Sequence, residues 1–359
     1  MKIRENVPIA EITTMRLGGE VKFLVDVEQQ DDVSAAFEFA EERGLPFFFL
    51  GEGANSIGKD DGLDGVIIRN KIEGIQVVDE EKMIVKGMGG EIWDNVVNFT
   101  TDLGWSGIEA MSAIPGTLGA APVQNIGAYG QDISQVIVEV EAFDTMLQEF
   151  VTIPKSEMKM GYRTTIFNTG ENAGRYFIVA VTMQLKHGNL EPPFYTSLQK
   201  FVDEHGIKDF SPANIREMVT KIREDKLPNP KKQASAGSFF KNIYLTDEEA
   251  DAAEKRGIQV FRTNGENTIN TGWLIEQAGL KGKEFFGFRV SEKAALILIN
   301  ENARTYAELE HASGEIKRVV KEKFGFELEQ EPVEIVETQN SFGKPDLLDP
   351  KDNCLGAAL

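Results

Sequence analysis

The chain has 359 residues, with 38 Lys and Arg against 58 Asp and Glu, a formal net charge of −20. That length calls for more than one domain, and the acidity argues against a protein that wraps nucleic acid or docks on anionic lipid, because both rest on cations meeting phosphate. The single cysteine, Cys354, excludes a disulfide scaffold and a Cys-rich zinc site.

The first 14 residues, MKIRENVPIAEITT, lack the apolar core of a signal peptide, and no run has the apolar length of a membrane helix. A cytoplasmic protein with no nucleic-acid or membrane partner is expected. Residues 21–27 predict a strand. Residues 31–43 predict a helix with Val33, Phe37 and Ala40 on one face and Gly44 as its stop. Residues 46–50 (PFFFL) predict a buried strand, and 64–69 another. The strand at 46–50 empties into a glycine loop, which makes a small βαβ-like unit.

Paired strands follow at 75–78 and 83–85, then a helix at 91–103. Residues 114–130 (IPGTLGAAPVQNIGAYG) are almost uncharged and too irregular for either element. Strands are expected at 136–143, 150–153 and 177–185, with the polar turn KMGYRTTIF between the last two. Pro212 opens a helix to Lys226 at a position proline tolerates, and LPNP breaks it. Helices at 246–255, 272–278 and 305–323 and a strand at 294–299 give an α+β pattern. Residues 327–336 alternate like a final strand, and 338–359 read as a polar tail.

Gly51, Glu52, Gly53, Ala54, Asn55 and Ser56 leave an apolar strand. Glycine permits positive φ and lets backbone N–H groups converge, a nest suited to pyrophosphate. Ser56 stands where a dinucleotide fingerprint has its third glycine, and no P-loop occurs. The 114–130 stretch offers a second bare backbone through Pro115, Gly116, Gly119, Ala120, Gly127 and Ala128, with Asn125 and Tyr129 as polar groups. Two such loops favour an extended cofactor that spans both units.

LGEGANS (50–56), IPGTLGAAPVQNIGAYG (114–130), GYRTTIF (161–167), KLPNP (226–230), AGSFFKN (236–242) and LEQE (328–331) occur in the order found in the UDP-N-acetylenolpyruvoylglucosamine reductase family, which the chain resembles to about residue 336. The resemblance implies an α+β protein with a two-part FAD-binding module of the vanillyl-alcohol-oxidase type, residues 1–73 and 74–210. It implies a substrate-binding domain at 211–326, a last strand at 327–337 returning to the active site, and a tail at 338–359. FAD as cofactor, NADPH as co-substrate, an enolpyruvyl nucleotide sugar as substrate and a monomeric enzyme of peptidoglycan precursor synthesis go with it.

On the same resemblance, Arg163 grips the substrate carboxylate, a role suited to a planar and permanently charged fork. Ser238 gives a proton to the substrate α-carbon. Glu329 works beside the arginine, with Glu331 as the alternative; Leu328 keeps the register for Glu329. Tyr195 of the type I members, Arg223, Lys226, Asn242 and Gln277 contact the substrate. Thr164-Thr165 after the arginine and Pro332 after LEQE depart from the family pattern. A flavin oxidase with covalent cofactor is disfavoured, since no His or Cys lies in a glycine loop. A non-catalytic flavin- or nucleotide-sugar-binding paralogue is disfavoured by the presence of Arg163, Ser238 and the glutamate. Three isolated histidines give no metal-ligand spacing.

Overall fold

Residues 1–263 and 265–337 are described by a computed structural model. Strands Lys2–Pro8 (β1), Glu20–Val27 (β2), Phe47–Leu50 (β3) and Leu63–Asn70 (β5) form one sheet in the order β1-β2-β5-β3. β5 runs parallel to both of its neighbours, and β1 is antiparallel to β2. Helix Asp32–Glu41 (α1) makes the crossover. Val33, Ala36, Phe37 and Ala40 fall on its inner stripe, and all four are buried. A short strand, Ser56–Gly58 (β4), leaves the first glycine loop. The sequence reading missed β1, an edge strand in which only Val7 is buried.

A second, antiparallel sheet holds Ile75–Asp79 (β6), Ile84–Met88 (β7), Ile137–Asp144 (β8), Glu149–Pro154 (β9) and Tyr176–Gln184 (β10), in the order β9-β8-β10-β7-β6. Helix Trp93–Asp102 (α2) packs on it, with Trp93, Val96 and Val97 in the shared core. The two sheets meet over α1. Phe37 stacks on Phe143 of β8 at 4.9 Å and meets Phe177 of β10 edge-on at 6.1 Å. Each such aromatic pair adds roughly 0.5–1.5 kcal/mol to the area it buries.

Helices Thr196–His205 (α3) and Pro212–Lys226 (α4) follow. The expectation that α4 opens the substrate domain is corrected here. Its stripe of Ile215, Met218, Val219 and Ile222 packs with Ala110 and α3, and its Arg216 clasps Asp94 of α2 at 2.6 and 2.9 Å. It therefore belongs with the second sheet.

The C-terminal core is built from residues 236–328, with helices Asp247–Lys255 (α5), Thr271–Gln277 (α6) and Tyr306–Phe324 (α7) around short strands. Capping boxes start α5 (Thr246 with Glu249) and α7 (Thr305 with Glu308), and Gly325 ends α7 at φ 78°. The strand expected at 294–299 forms only over Leu298–Asn300. Met15, Leu17 and Ile57 of the first unit join this core, so the C-terminal domain is welded to the first sheet. The final strand is shorter than expected, Val333–Ile335, and adds in parallel to β4. The tail and Cys354 lie outside the described residues.

Candidate active site

The two glycine segments touch. Asn55 Nδ2 donates to Gln124 Oε1 at 2.8 Å, and a Cβ on Gly51 would fall 2.5 Å from Thr117 Oγ1. Gly53 sits at φ 66°, where a Cβ would lie 2.2 Å from the Ile12 carbonyl oxygen, so only glycine fits there. Among the described residues, the amides of Glu52, Gly53, Ala54 and Asn55 donate to no protein acceptor. Clustered N–H groups of this kind form an anion nest. Gly116 and Gly130, at φ 126° and 87°, would have nothing within 4 Å of an added Cβ and so present open backbone. Gly119 serves packing instead, with a Cβ position 2.8 Å from the Gly89 carbonyl oxygen. Gly127 and Ala128 pair with Gln131 and Asp132 in a two-residue ladder. Ala120 lies against Gly51, and Pro115 begins the bend into this segment. The side chain of Glu52 turns toward Lys71, 3.2 Å away.

Asn125 ties this backbone to the arginine turn. Its Nδ2 donates to the Gly161 carbonyl at 3.1 Å, and its own carbonyl accepts Arg163 Nη1 at 3.2 Å. Thr165 Oγ1 donates to the Val123 carbonyl at 2.6 Å, which gives the Thr164-Thr165 departure a local purpose. Arg163 adopts φ 55°, a conformation costing a non-glycine residue roughly 1–2 kcal/mol. Asn168 Nδ2 donates to its carbonyl at 2.9 Å and helps to hold it there.

Arg163 Nε donates to Glu331 Oε1 at 2.9 Å, and the side chains are 19% and 10% exposed. Glu329 is 73% exposed and pairs with Lys241. The choice of Glu329 over Glu331 is thereby corrected: Glu331 is the carboxyl group beside the arginine. Burial pushes the Glu331 carboxyl above the usual range, against the pull of Arg163 and Lys241. Arg163 Nη2 has no protein acceptor among the described residues, so its N–H groups are open to a carboxylate. The Tyr162 ring lies 5.3 Å from the guanidinium and 4.5 Å from the ring of Tyr244.

Ser238 lies on the adjoining extended segment, bridged to Ile297. Phe239, next in sequence, accepts the Glu331 amide at its carbonyl at 3.0 Å and donates its own amide to the Leu296 carbonyl at 2.9 Å. Ser238 lines a cleft of about 390 Å³ with Asn270, Trp273, Glu276 and Lys293. Its hydroxyl makes no hydrogen bond among the described residues.

The expected substrate residues divide. Arg223 is pulled into the protein, with Nε donating to the Ala113 carbonyl at 3.3 Å and Tyr129 bonded to it. Burial lowers its pKa against the attraction of Tyr129 and Asp94. Asp94 itself is clasped by Arg216, so the Arg223 guanidinium has no carboxylate bonded to it among the described residues. Tyr195 N-caps α3, is 53% exposed and meets Tyr129 edge-on at 5.8 Å. Lys226 ends α4, exposed to solvent. Asn242 donates its amide to the Tyr162 hydroxyl at 3.2 Å and accepts the Thr271 amide at 3.2 Å, beside the arginine cluster. Gln277 ends α6, exposed, outside the lining of the Ser238 cleft. Tyr162, Lys241 and Tyr244 were not read from the sequence; the tyrosine adjacent to Arg163 was the available signal. Among the described residues no cluster of His, Cys, Asp or Glu could hold a metal ion, and no helix is long and apolar enough to cross a membrane.

Comparison with known proteins fits this arrangement. A family model for the C-terminal domain of UDP-N-acetylenolpyruvoylglucosamine reductase matches residues 229–335, and an FAD binding domain model matches residues 21–146. A UDP-N-acetylenolpyruvoylglucosamine reductase of Chromobacterium violaceum is 32% identical over 339 residues, 93% of this chain and 99% of the relative. The chain belongs to the UDP-N-acetylenolpyruvoylglucosamine reductase family. The family member of Alcanivorax borkumensis is 36% identical over 80% of this chain and 84% of its own length. The crystal structure of the reductase from Thermus caldophilus shares the fold, with a TM-score of 0.64 at 22% identity, over 93% of this chain and 99% of that one. The start of the C-terminal family match at 229 also agrees with assigning α4 to the preceding unit.

Proposed function

We propose that the chain reduces the enolpyruvyl ether of UDP-N-acetylglucosamine enolpyruvate to the lactyl ether of UDP-N-acetylmuramate, at the expense of NADPH, as a cytoplasmic monomer in peptidoglycan precursor synthesis. The observation that carries this reading is the Arg163–Glu331 pair, held beside both the open glycine segments and the segment of Ser238. The unpaired amides at 52–55 and the open backbone at Gly116 and Gly130 suit a pyrophosphate and a flat ring, and these residues would hold FAD. Bound there, FAD would supply the two-electron hydride chemistry that links NADPH to the enolpyruvyl group.

The protein's own groups do the rest. Arg163 receives the substrate carboxylate through Nη2, and charge gathers on that carboxylate as the double bond is reduced. A fixed cation there stabilises the transition state more than the ground state. Glu331 keeps the guanidinium aimed. Ser238 Oγ delivers the proton that completes the α-carbon. Arg223, a half-buried guanidinium with no carboxylate bonded to it among the described residues, takes the diphosphate with Tyr129, Tyr195 and Lys226 around it.

The purified protein is expected to show a flavin absorption band and to oxidise NADPH when given the enolpyruvyl nucleotide sugar. A colourless protein that FAD cannot reconstitute, or NADPH oxidation indifferent to the sugar, overturns the reading.

A further inference from the structure

The last strand carries a second polar contact, half-buried, three residues beyond Glu331. Glu334 Oε2 meets Lys59 Nζ at 2.8 Å, and Glu334 Oε1 accepts the Tyr306 hydroxyl. Lys59 Nζ also lies 5.5 Å from the centroid of the Tyr306 ring. Lys59 directly follows β4, and Tyr306 begins α7. Asp60 fastens the same corner, accepting the amides of Tyr306 at 2.5 Å and Ala307 at 3.2 Å. Three elements thus converge on one carboxylate: the exit of the glycine loop, the start of the longest helix and the strand that brings Glu331 to the site.

The segment is tied on two sides: before Pro332 the Lys241 amide donates to the Glu329 carbonyl at 2.9 Å and the Glu331 amide to the Phe239 carbonyl at 3.0 Å, around a Phe240–Gln330 bridge, and after Pro332 the strand runs in a short ladder. It pairs with β4 over three residues, Val333 with Ser56, Glu334 with Ile57 and Ile335 with Gly58. A slip of one residue in a β-pairing turns every side chain to the opposite face. Such a slip would break the bond from the Val333 amide to the Asn55 carbonyl, 2.9 Å, on the glycine loop itself, and would pull through Pro332 on the pairing that aims Glu331 at Arg163.

We propose that Lys59, Tyr306 and Glu334 form a latch that sets the register of the last strand, so that Glu331 faces Arg163 and the glycine loop is closed along one side. They are positioning residues, not catalytic ones. The proposal rests on the reading that Glu331 serves the reduction.

The test compares Lys59→Met and Tyr306→Phe with Glu331→Gln in the full-length holoenzyme. Hydrogen exchange at the amides of Glu331 and Val333 should rise about tenfold in the two latch variants, with the amides of the five-stranded sheet unchanged. Reduction of the sugar should slow several-fold while the NADPH half-reaction stays within about twofold, and Lys59→Arg should restore both exchange and rate. Unchanged exchange and sugar reduction in the latch variants, with Glu331→Gln impaired, overturns the latch and leaves the functional reading. A Glu331→Gln enzyme with full activity overturns the reading beneath it. Exchange that rises equally throughout the protein overturns the latch as well, by showing that the contact only holds the fold.

Discussion

Arg163 and Glu331, 168 residues apart in the chain, meet as a direct ion pair through Nε and Oε1. Each is brought by a different device: a strained polar turn for the arginine and a short terminal strand for the glutamate. Replacing Glu331 by Gln keeps the shape and removes the charge that aims the guanidinium. Sugar reduction should fall roughly 10²-fold, the order seen for positioned acid–base and electrostatic groups. Glu329→Gln should remain near the parent rate. Steady-state NADPH oxidation with the enolpyruvyl sugar decides between them.

Ser238→Ala should separate the two halves of the reaction. The hydroxyl is unengaged and faces a cleft, so its loss disturbs little structure. Stopped-flow reduction of the flavin by NADPH should proceed at the parent rate, while reoxidation by the sugar slows by about 10²- to 10⁴-fold. Equal loss in both halves would make the serine structural.

The raised pKa of Glu331 predicts a pH dependence of stability. Burial dominates there over Arg163 and Lys241, with Tyr162 the other titrating group in reach. A carboxyl whose pKa is higher folded than unfolded supports the fold at low pH, and that support is lost as pH rises through the folded pKa. The melting temperature of Glu331→Gln relative to the parent should therefore move upward with pH, starting from the ordinary glutamate value of about 4.3. Thermal melts at a series of pH values check this; a flat or falling difference contradicts it.

Arg223→Met should trade binding for stability. The guanidinium is half-buried, with a carbonyl and a phenol as its protein partners among the described residues. An apolar side chain of similar volume in such a place is often neutral or stabilising. The KM for the nucleotide sugar should rise about 10- to 100-fold, the equivalent of about 1.5–3 kcal/mol of charged hydrogen bonding, with the KM for NADPH and the melting temperature held or raised.

Gly53→Ala tests the cradle. The φ of 66° and the Ile12 carbonyl 2.2 Å from the new methyl force the loop to move. The variant should lose flavin on gel filtration and melt at a lower temperature than the parent. Retention of a full flavin band would remove the first glycine loop from the cofactor site.

Much of this was legible in the sequence, for identifiable reasons. The glycine segments announce positions that no side chain can share, and Gly51 and Gly53 are such positions. Helices α5 and α7 begin at capping residues visible as Thr-x-x-Glu. What stayed hidden depends on distant partners. Glu329 and Glu331 have the same parity in an alternating strand, so periodicity cannot rank them; Lys241 draws one out and Arg163 draws the other in. The apolar stripe of α4 announces a buried face but not the surface it meets, and that surface lies in the second sheet unit. Strand β1 alternates weakly because it borders solvent.

The pairing of Val333–Ile335 with Ser56–Gly58 has one more effect. It occupies hydrogen-bonding groups along a strand margin that would otherwise be bare, and bare margins of that kind recruit other chains. A polypeptide ending before Val333 would thus lose more than the anchor of Glu331: it would carry an adhesive backbone rim beside the first glycine loop, and self-association would follow.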